Sequence, residues 1–553
     1  MACRVAVIGA GCSGLACIKC CLDEGLEPVC FESSDDIGGL WRFKEKPEAG
    51  QANIYRSVII NTSKEIMSYS DFPVPAQFPN YMHNSRLLEY FHLYAEHFQL
   101  RPHIRFQTHV LSVKQCPDFS HSGQWEVVTA SKDGQEVYIF DRVLVCTGVY
   151  THPHLPLNDF AGIETFEGKY LHSWEYRHPE DFQGKRVVVI GIGNSGGDIA
   201  VELSRAAKQV YLSTRRGTWL ASRFGDNGLP KDMVSSTRLA ALLVRYLPSL
   251  MNWAVERKLN QRFDHCLYGL QPLHSFYRQN PMTNDELPSR IISGELVVKP
   301  NVREFRGSSL VFEDGTVETE IDSVIFATGY SYEFPFLPAS LVSHQRGLRP
   351  ALYKHVFPPR LEHPTLAVVG CLNTTEAIIP LSEMQARWAT RVFAGLVKLP
   401  PEKTMLEDIE KTVREMEQKY TCSERGPLQV DYIPYLDSLA AQIGARPSLM
   451  GLLLRDPRLG LSVLLGPCTP YQYRLSGPGQ WAGARSAILT QWERVEEPLR
   501  TRRAPHRPRG PGLALALKVS AAALLLSAAV VYIRGDPPAL LRRLSVLPGA
   551  WTL

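Results

Sequence analysis

The sequence predicts an α/β protein made of two parallel-sheet units of one kind, nested in the chain, with a transmembrane helix at its C-terminal end. Three observations predict it. Short apolar, β-branched runs end in a glycine-rich turn at residues 4–14 and again at 186–196, each opening a helix-like stretch. Both turns read G-x-G-x-x-G. Leu513 to Ile533 is an apolar run of 21 residues with one charge, Lys518, long enough to cross a bilayer.

Composition sets the frame. A chain of 553 residues is long for one core, so two or more domains are expected. Hydrophobic residues make up 44%, charged residues 21%, and the formal net charge is +4. That balance is globular and argues against a nucleic-acid binder. The twelve cysteines follow no regular framework, and the chain begins on a strand-like run rather than a signal segment. Both features point to a reducing, cytosol-facing setting.

The first unit runs in order. Arg4 to Ile8 reads as a buried strand, Gly9-Ala10-Gly11-Cys12-Ser13-Gly14 as the turn, and Leu15 to Glu24 as a helix closed by Gly25. Glu27 to Phe31 reads as a second strand, with Glu32 at its end. Gly9 allows a tight turn, Gly11 admits a pyrophosphate close to the backbone, and Gly14 lets helix and strand pack closely. The phosphates then sit on the positive helix N-terminus, and Glu32 accepts hydrogen bonds from a ribose diol. Gly39-Leu40-Trp41 follows, where glycine beside a bulky aromatic suits the face of a flat ligand. Residues 53–84 are loop-rich, 85–99 helix-like and 124–139 alternating, and Val143 to Gly148 returns as a central strand.

The second unit repeats the first. Val187 to Ile190 is the strand, Gly191-Ile-Gly193-Asn194-Ser195-Gly196 the turn, Asp198 to Lys208 the helix, and Val210 to Thr214 the second strand. Gly9 to Glu32 and Gly191 to Thr214 are both 23 residues. Where the first unit has an acid, the second has Thr214 followed by Arg215 and Arg216. An acid repels a 2′-phosphate, whereas guanidinium pairs with one. The expected architecture is thus two nested Rossmann-like dinucleotide-binding domains. The second takes NADPH and the first FAD, a flavin supplying redox chemistry that side chains lack. Val324 to Tyr330 marks the crossing back. The expected division is 1–153 and 331–445 for FAD, and 154–330 for NADPH with an insert near 215–295. A C-terminal region and basic linker (446–512), the anchor (513–533) and a tail (534–553) complete it.

Arg500, Arg502, Arg503, Arg507 and Arg509 precede the apolar run, so the positive-inside rule keeps the body cytosolic, softened by Arg534, Arg542 and Arg543 beyond it. Leu239, Leu242, Leu243, Tyr246, Leu247 and Leu250 share one helical face, which suits an interfacial helix or one facing a core. Other motifs carry less. Gly193 to Gly197 also fits the hydrolase pattern G-x-S-x-G, but that reading leaves the first turn and the arginine pair unexplained. Cys17 and Cys20 form a C-x-x-C better read as packed thiols than as a redox pair. His172 has no ligand partners at metal-binding spacing, so no metal is expected.

Phe166-Glu-Gly168-Lys-Tyr-Leu-His172-Ser-Trp-Glu-Tyr176 fits F-x-G-x-x-x-H-x-x-x-[YF], and Phe326 to Tyr330 is a further match. Through these the chain resembles the flavin-containing monooxygenases from residue 3 to about 533. Within them it resembles the vertebrate microsomal branch and its form 5, through Val58 to Glu65 and Gly466 to Pro470. The resemblance implies that NADPH reduces FAD, O₂ adds at flavin C4a, and NADP⁺ shelters a hydroperoxide that oxygenates a small lipophilic substrate. Water must be kept out. It implies Asn61 as the catalytic residue at the flavin, Leu40, Trp41, Ile60 and Thr62 as FAD or nicotinamide neighbours, and Asn194, Ser195, Gly196, Gly197 and Asp198 as NADP contacts. It further implies N- or S-oxidation, or Baeyer–Villiger oxidation of ketones and aldehydes, at the cytosolic face of the endoplasmic reticulum membrane, and leaves a homo-oligomer open. The alternatives are an NADPH oxidase releasing hydrogen peroxide, and a membrane-tethered nucleotide-binding protein without turnover.

Overall fold

Two runs of sequence with the same burial build the two sheets. Val5, Ala6 and Val7 are fully buried with Ile8 at 4% exposure, and Val187, Val188 and Val189 are fully buried with Ile190 at 4%. Strands buried on both faces are what parallel sheets demand. The structure is a computed structural model that describes residues 3–502 apart from 47, 226, 345–346 and 421–427. Residues 1–499 form one compact unit and 500–553 a second. The expected anchor (513–533) and tail (534–553) lie outside the described residues, among which no helix is long and apolar enough to cross a membrane.

The first sheet is parallel, in the order Leu366–Val368, Arg142–Val145, Arg4–Ile8, Glu27–Phe31, Ile104–Arg105. The second is also parallel: Lys169–His172, Ser323–Phe326, Arg186–Ile190, Gln209–Ser213, Leu296–Lys299. All strands of the second lie in sequence between Arg142–Val145 and Leu366–Val368 of the first. The registers coincide as well, Ile8 facing Phe31 and Ile190 facing Ser213. Three-stranded antiparallel sheets attach to each: His109–Gln115, Trp125–Ser131 and Gly134–Phe140, and Val302–Arg306, Ser309–Phe312 and Val317–Glu318.

Several boundaries move for physical reasons. The two fingerprint helices span Cys12–Asp23 and Asn194–Leu203, starting right after the second glycine of each turn. The alternating stretch 124–139 is two strands, because the pattern runs on through the hairpin turn that pairs Ser131 with Gly134. The apolar face at 239–250 belongs to two helices, Arg238–Tyr246 and Pro248–Arg262. Proline suits the first turn of a helix but ends the one before it.

The C-terminal helices are joined to the first unit by buried charge. Arg474 is 2% exposed and its Nη2 lies 2.8 Å from Glu383 Oε1 and 2.9 Å from Asp71 Oδ2. Arg494 grips Glu65 through Nη2, 2.6 Å from Oε2, and Nε, 3.0 Å from Oε1. Removing one partner of such a pair leaves a buried charge uncompensated, at a cost of about 3–5 kcal/mol.

Candidate active site

The two glycine turns have nearly the same geometry. Gly9 has φ +98° and Gly191 φ +111°, and a Cβ on either would press on the backbone oxygen of Cys146 (2.8 Å) or Ala327 (2.4 Å). A Cβ on Gly14 or Gly196 would fall 1.8 or 2.0 Å from the oxygen of the first glycine. These four are excluded from carrying side chains by the protein itself. The middle glycines differ: a Cβ on Gly11 would meet only Gly39 backbone at 3.6 Å, and one on Gly193 nothing within 4 Å. Their bare backbones face a cavity, and neither helix has a side-chain cap at its N-terminus. Uncapped N–H groups at the positive end of a helix are a ready site for phosphate, so the residues present fit two dinucleotides.

One cavity of about 840 Å³ reaches both turns. Of the sequence-predicted residues, Gly9, Gly11, Cys12, Ser13, Glu32, Gly39, Leu40, Trp41, Ile60, Asn61, Thr62, Gly193, Asn194, Ser195, Gly196 and Asp198 line it. Ala10, Gly14, Gly191 and Gly197 are not in its wall. Gly197 is packed so tightly that a Cβ would meet the Met282 sulfur at 2.3 Å. Arg215 and Arg216 are exposed just beyond the second strand, outside the cavity lining.

Glu32 is 7% exposed and already at work. Its Oε2 accepts from Ala10 N at 2.7 Å, and its Oε1 accepts from Ser34 N and Ser34 Oγ, both at 2.8 Å. It clasps the glycine turn to the next loop. The loop is fastened again by Gly38 N, which donates to Ala10 O at 3.1 Å.

Asn61 Oδ1 accepts from Arg223 Nη2 at 2.7 Å, which fixes the amide and leaves its NH₂ as the free donor. Arg223 is in turn 3.6 Å from Asp285 Oδ2. The next residues are pinned from the same segment, since Ser63 N donates to Asp232 Oδ2 at 2.6 Å. Asp198 Oδ2 accepts from Tyr55 OH and Oδ1 from Asn284 Nδ2, each at 2.8 Å. Burial pushes the carboxyls of Asp198, Asp232 and Glu376 up. Arg223 escaped sequence reading because it stands 162 residues from its partner in the chain.

The remaining motif residues are structural. Cys17 and Cys20 are buried free thiols, and burial raises both pKa values, so neither is a ready thiolate. His172 is 2% exposed, and burial lowers its pKa to about 4. Its Nδ1 accepts from Trp174 N at 3.0 Å. Among the described residues no cluster fit to hold a metal occurs.

The model of the flavin-binding monooxygenase-like family matches residues 2–534. The chain belongs to that family. It is 55% identical over 530 residues to rat flavin-containing monooxygenase 5, covering 96% of this chain and 99% of that one. It is 53% identical over 503 residues to dimethylaniline monooxygenase [N-oxide-forming] 2 of Macaca mulatta, covering 91% and 94%. The chain is thus a flavin-containing monooxygenase of the vertebrate kind, an oxidoreductase with FAD and NADPH as cofactors. Two solved structures share the fold. S-allyl-L-cysteine S-oxygenase of Allium sativum has a TM-score of 0.61 at 24% identity, covering 83% of this chain and 95% of that chain. NADP⁺-bound cyclohexanone monooxygenase of Rhodococcus sp. Phi1 has 0.57 at 19%, covering 83% and 99%.

Proposed function

We propose that this flavin monooxygenase uses NADPH and O₂ to oxygenate small lipophilic substrates, by N- or S-oxidation of soft nucleophiles or by Baeyer–Villiger oxidation of ketones and aldehydes. The observation that carries the reading is the single cavity onto which both uncapped fingerprint helices and Asn61 open. Bound FAD, reduced by NADPH, supplies the electrons and the atom at which O₂ is activated. The chain does the rest. Gly11 and Gly193 admit the two pyrophosphates, Glu32 meets a ribose diol, and Arg215 and Arg216 meet a 2′-phosphate. Asn61, oriented by Arg223, offers an N–H to oxygen at the reacting centre. Ile8, Phe31, Ile60, Met67, Val149 and Leu372 line the same cavity and keep water from it. Relatives named for N-oxide formation, S-oxygenation and cyclohexanone monooxygenation support the range of substrates.

We also propose that the nested segments 1–153 and 331–445 hold FAD and 154–330 holds NADPH, and that Leu513 to Ile533 anchors the chain at the cytosolic face of the endoplasmic reticulum membrane. Leu242, Tyr246, Leu250 and Trp253 are 41–61% exposed beside Arg245 and Arg257, a face suited to the bilayer interface.

The test counts products. With a thioether, a tertiary amine or a ketone present, one oxygenated product per NADPH is expected. Hydrogen peroxide in step with NADPH, whatever the substrate, would make the chain an oxidase instead. Asn61→Ala should keep NADPH-driven flavin reduction and lose product in favour of peroxide by roughly 100-fold, the size of a lost transition-state donor. Unchanged product yield would remove Asn61 from the chemistry.

A further inference from the structure

Asn53 is 4% exposed and lines the cavity, yet neither its Nδ2 nor its Oδ1 has a hydrogen-bond partner. A buried primary amide with both ends unmatched is costly, and native interiors rarely keep one without a reason. Its flanks hold it in place. Gln51 O accepts from Trp174 Nε1 at 2.8 Å, Ile54 O from Arg177 Nη1 at 3.4 Å, and Arg177 O from Arg56 N at 2.9 Å. Tyr55 reaches Asp198 on the second fingerprint helix and packs in the second core with Val187, Val189 and Ile199. A segment that follows the FAD-type turn in sequence is therefore fastened to the NADP-type unit. Asn53 stands in the shared cavity at that seam.

We infer that Asn53 reads the carboxamide of the nicotinamide ring. An amide matches a group that sets one acceptor beside one donor, and NADP(H) carries such a group beside the carbon that gives up hydride. Asn53 Nδ2 donates to the carboxamide oxygen, and the carboxamide NH₂ donates to Asn53 Oδ1. Two parallel bonds fix the rotation of the ring, and with it the direction in which hydride leaves. The imide edge of a flavin offers the same donor and acceptor pattern. The flanking bonds from Trp174 and Arg177, and that from Tyr55 to Asp198, favour the nicotinamide. The inference rests on reading the second fingerprint as the NADP(H) site.

The experiment titrates FAD-loaded enzyme, wild type and Asn53→Ala, with NADP⁺ and with the same nucleotide lacking nicotinamide, 2′-phospho-ADP-ribose. NADP⁺ affinity should fall about ten-fold in the variant, which is about 1.4 kcal/mol. Affinity for 2′-phospho-ADP-ribose and bound FAD per chain should stay as in wild type. Asn53→Asp, which keeps the shape but exchanges the donor for an acceptor, should show the same selective loss and guards against a folding defect in the alanine variant. Equal weakening of both nucleotides, or none, would overturn the assignment. Loss of FAD with NADP⁺ affinity unchanged would give the amide to the flavin. Failure of wild type to bind 2′-phospho-ADP-ribose would overturn the second-fingerprint reading, and the Asn53 assignment with it.

Discussion

The two glycine turns share a backbone and differ in how they are closed. Gly9 N donates to Phe31 O at 2.8 Å and Gly191 N to Ser213 O at 3.0 Å, so strand, turn and second strand superimpose in kind. Around the first turn the protein folds shut, with Glu32 gripping Ala10 and Ser34 and Gly38 bonded to Ala10. Around the second it stays open, with Gly193 and Asn194 exposed on the cavity side and Arg215 and Arg216 exposed beyond the strand. One motif is thus closed in two ways. A clasped turn suits a cofactor kept through many cycles, and an open one suits a nucleotide that must come and go.

The largest effect should come from the glycines that admit no Cβ. Gly14→Ala should yield protein without bound flavin. Gly196→Ala should keep its flavin but be reduced by NADPH roughly 100-fold more slowly, equivalent to about 2.7 kcal/mol. Absorbance of the purified proteins and anaerobic reduction rates decide it, and matching defects in both would erase the distinction between the turns. Next, Arg215→Ala with Arg216→Ala should raise the KM for NADPH about 10- to 100-fold, the worth of one or two charge-assisted bonds. The KM for NADH should barely move, and parallel rises would mean the pair does not read the 2′-phosphate. Gly193→Ala should weaken NADPH binding about ten-fold while unfolding stability changes by less than about 1 kcal/mol, because its Cβ meets only the cavity. A large loss of stability would make Gly193 a packing residue like Gly196.

The last prediction concerns stability and pH. Through the paired registers, His172 faces Phe326 where the first sheet has Val368 facing Val145. Its pKa falls from 6.5 to about 4 in the fold. Between those values the unfolded chain binds the extra proton and the folded one does not, so stability rises with pH through that window. Wild type should therefore lose on the order of 1–3 kcal/mol more than His172→Val as pH drops from 6.5 to 4, read from denaturant midpoints. Superimposable pH profiles would show that His172 is not the group responsible.

Most of the fold was legible because its signals are local. A strand ending in Gly9 or Gly191 with a helix behind it is a constraint on a dozen neighbouring residues, and equal spacing to Glu32 and Thr214 carries the register. What escaped is long-range pairing. Nothing near Asn61 announces Arg223, and nothing near Asn53 says that its flanks are held by Trp174, Arg177 and Asp198. Glu32 was legible as an acid at the right place, but not as the clasp of its own loop, since Ala10 N and Ser34 look like any other donors in sequence.

The buried charges beneath the C-terminal helices govern how far the chain can be shortened. Glu65 and Glu383 take their ion pairs from Arg494 and Arg474, Asp71 shares Arg474 with Lys19, and Asn80 donates to Val495 O at 2.9 Å. A stop placed before residue 474 would strip Glu65 and Glu383 of these ion pairs inside the molecule, leave Asp71 with Lys19 alone, and should give insoluble protein. A deletion meant to remove only the apolar run must therefore begin after Val495, and the arginine-rich stretch from Arg500 to Arg509 is where the chain can be cut with every one of these partners retained.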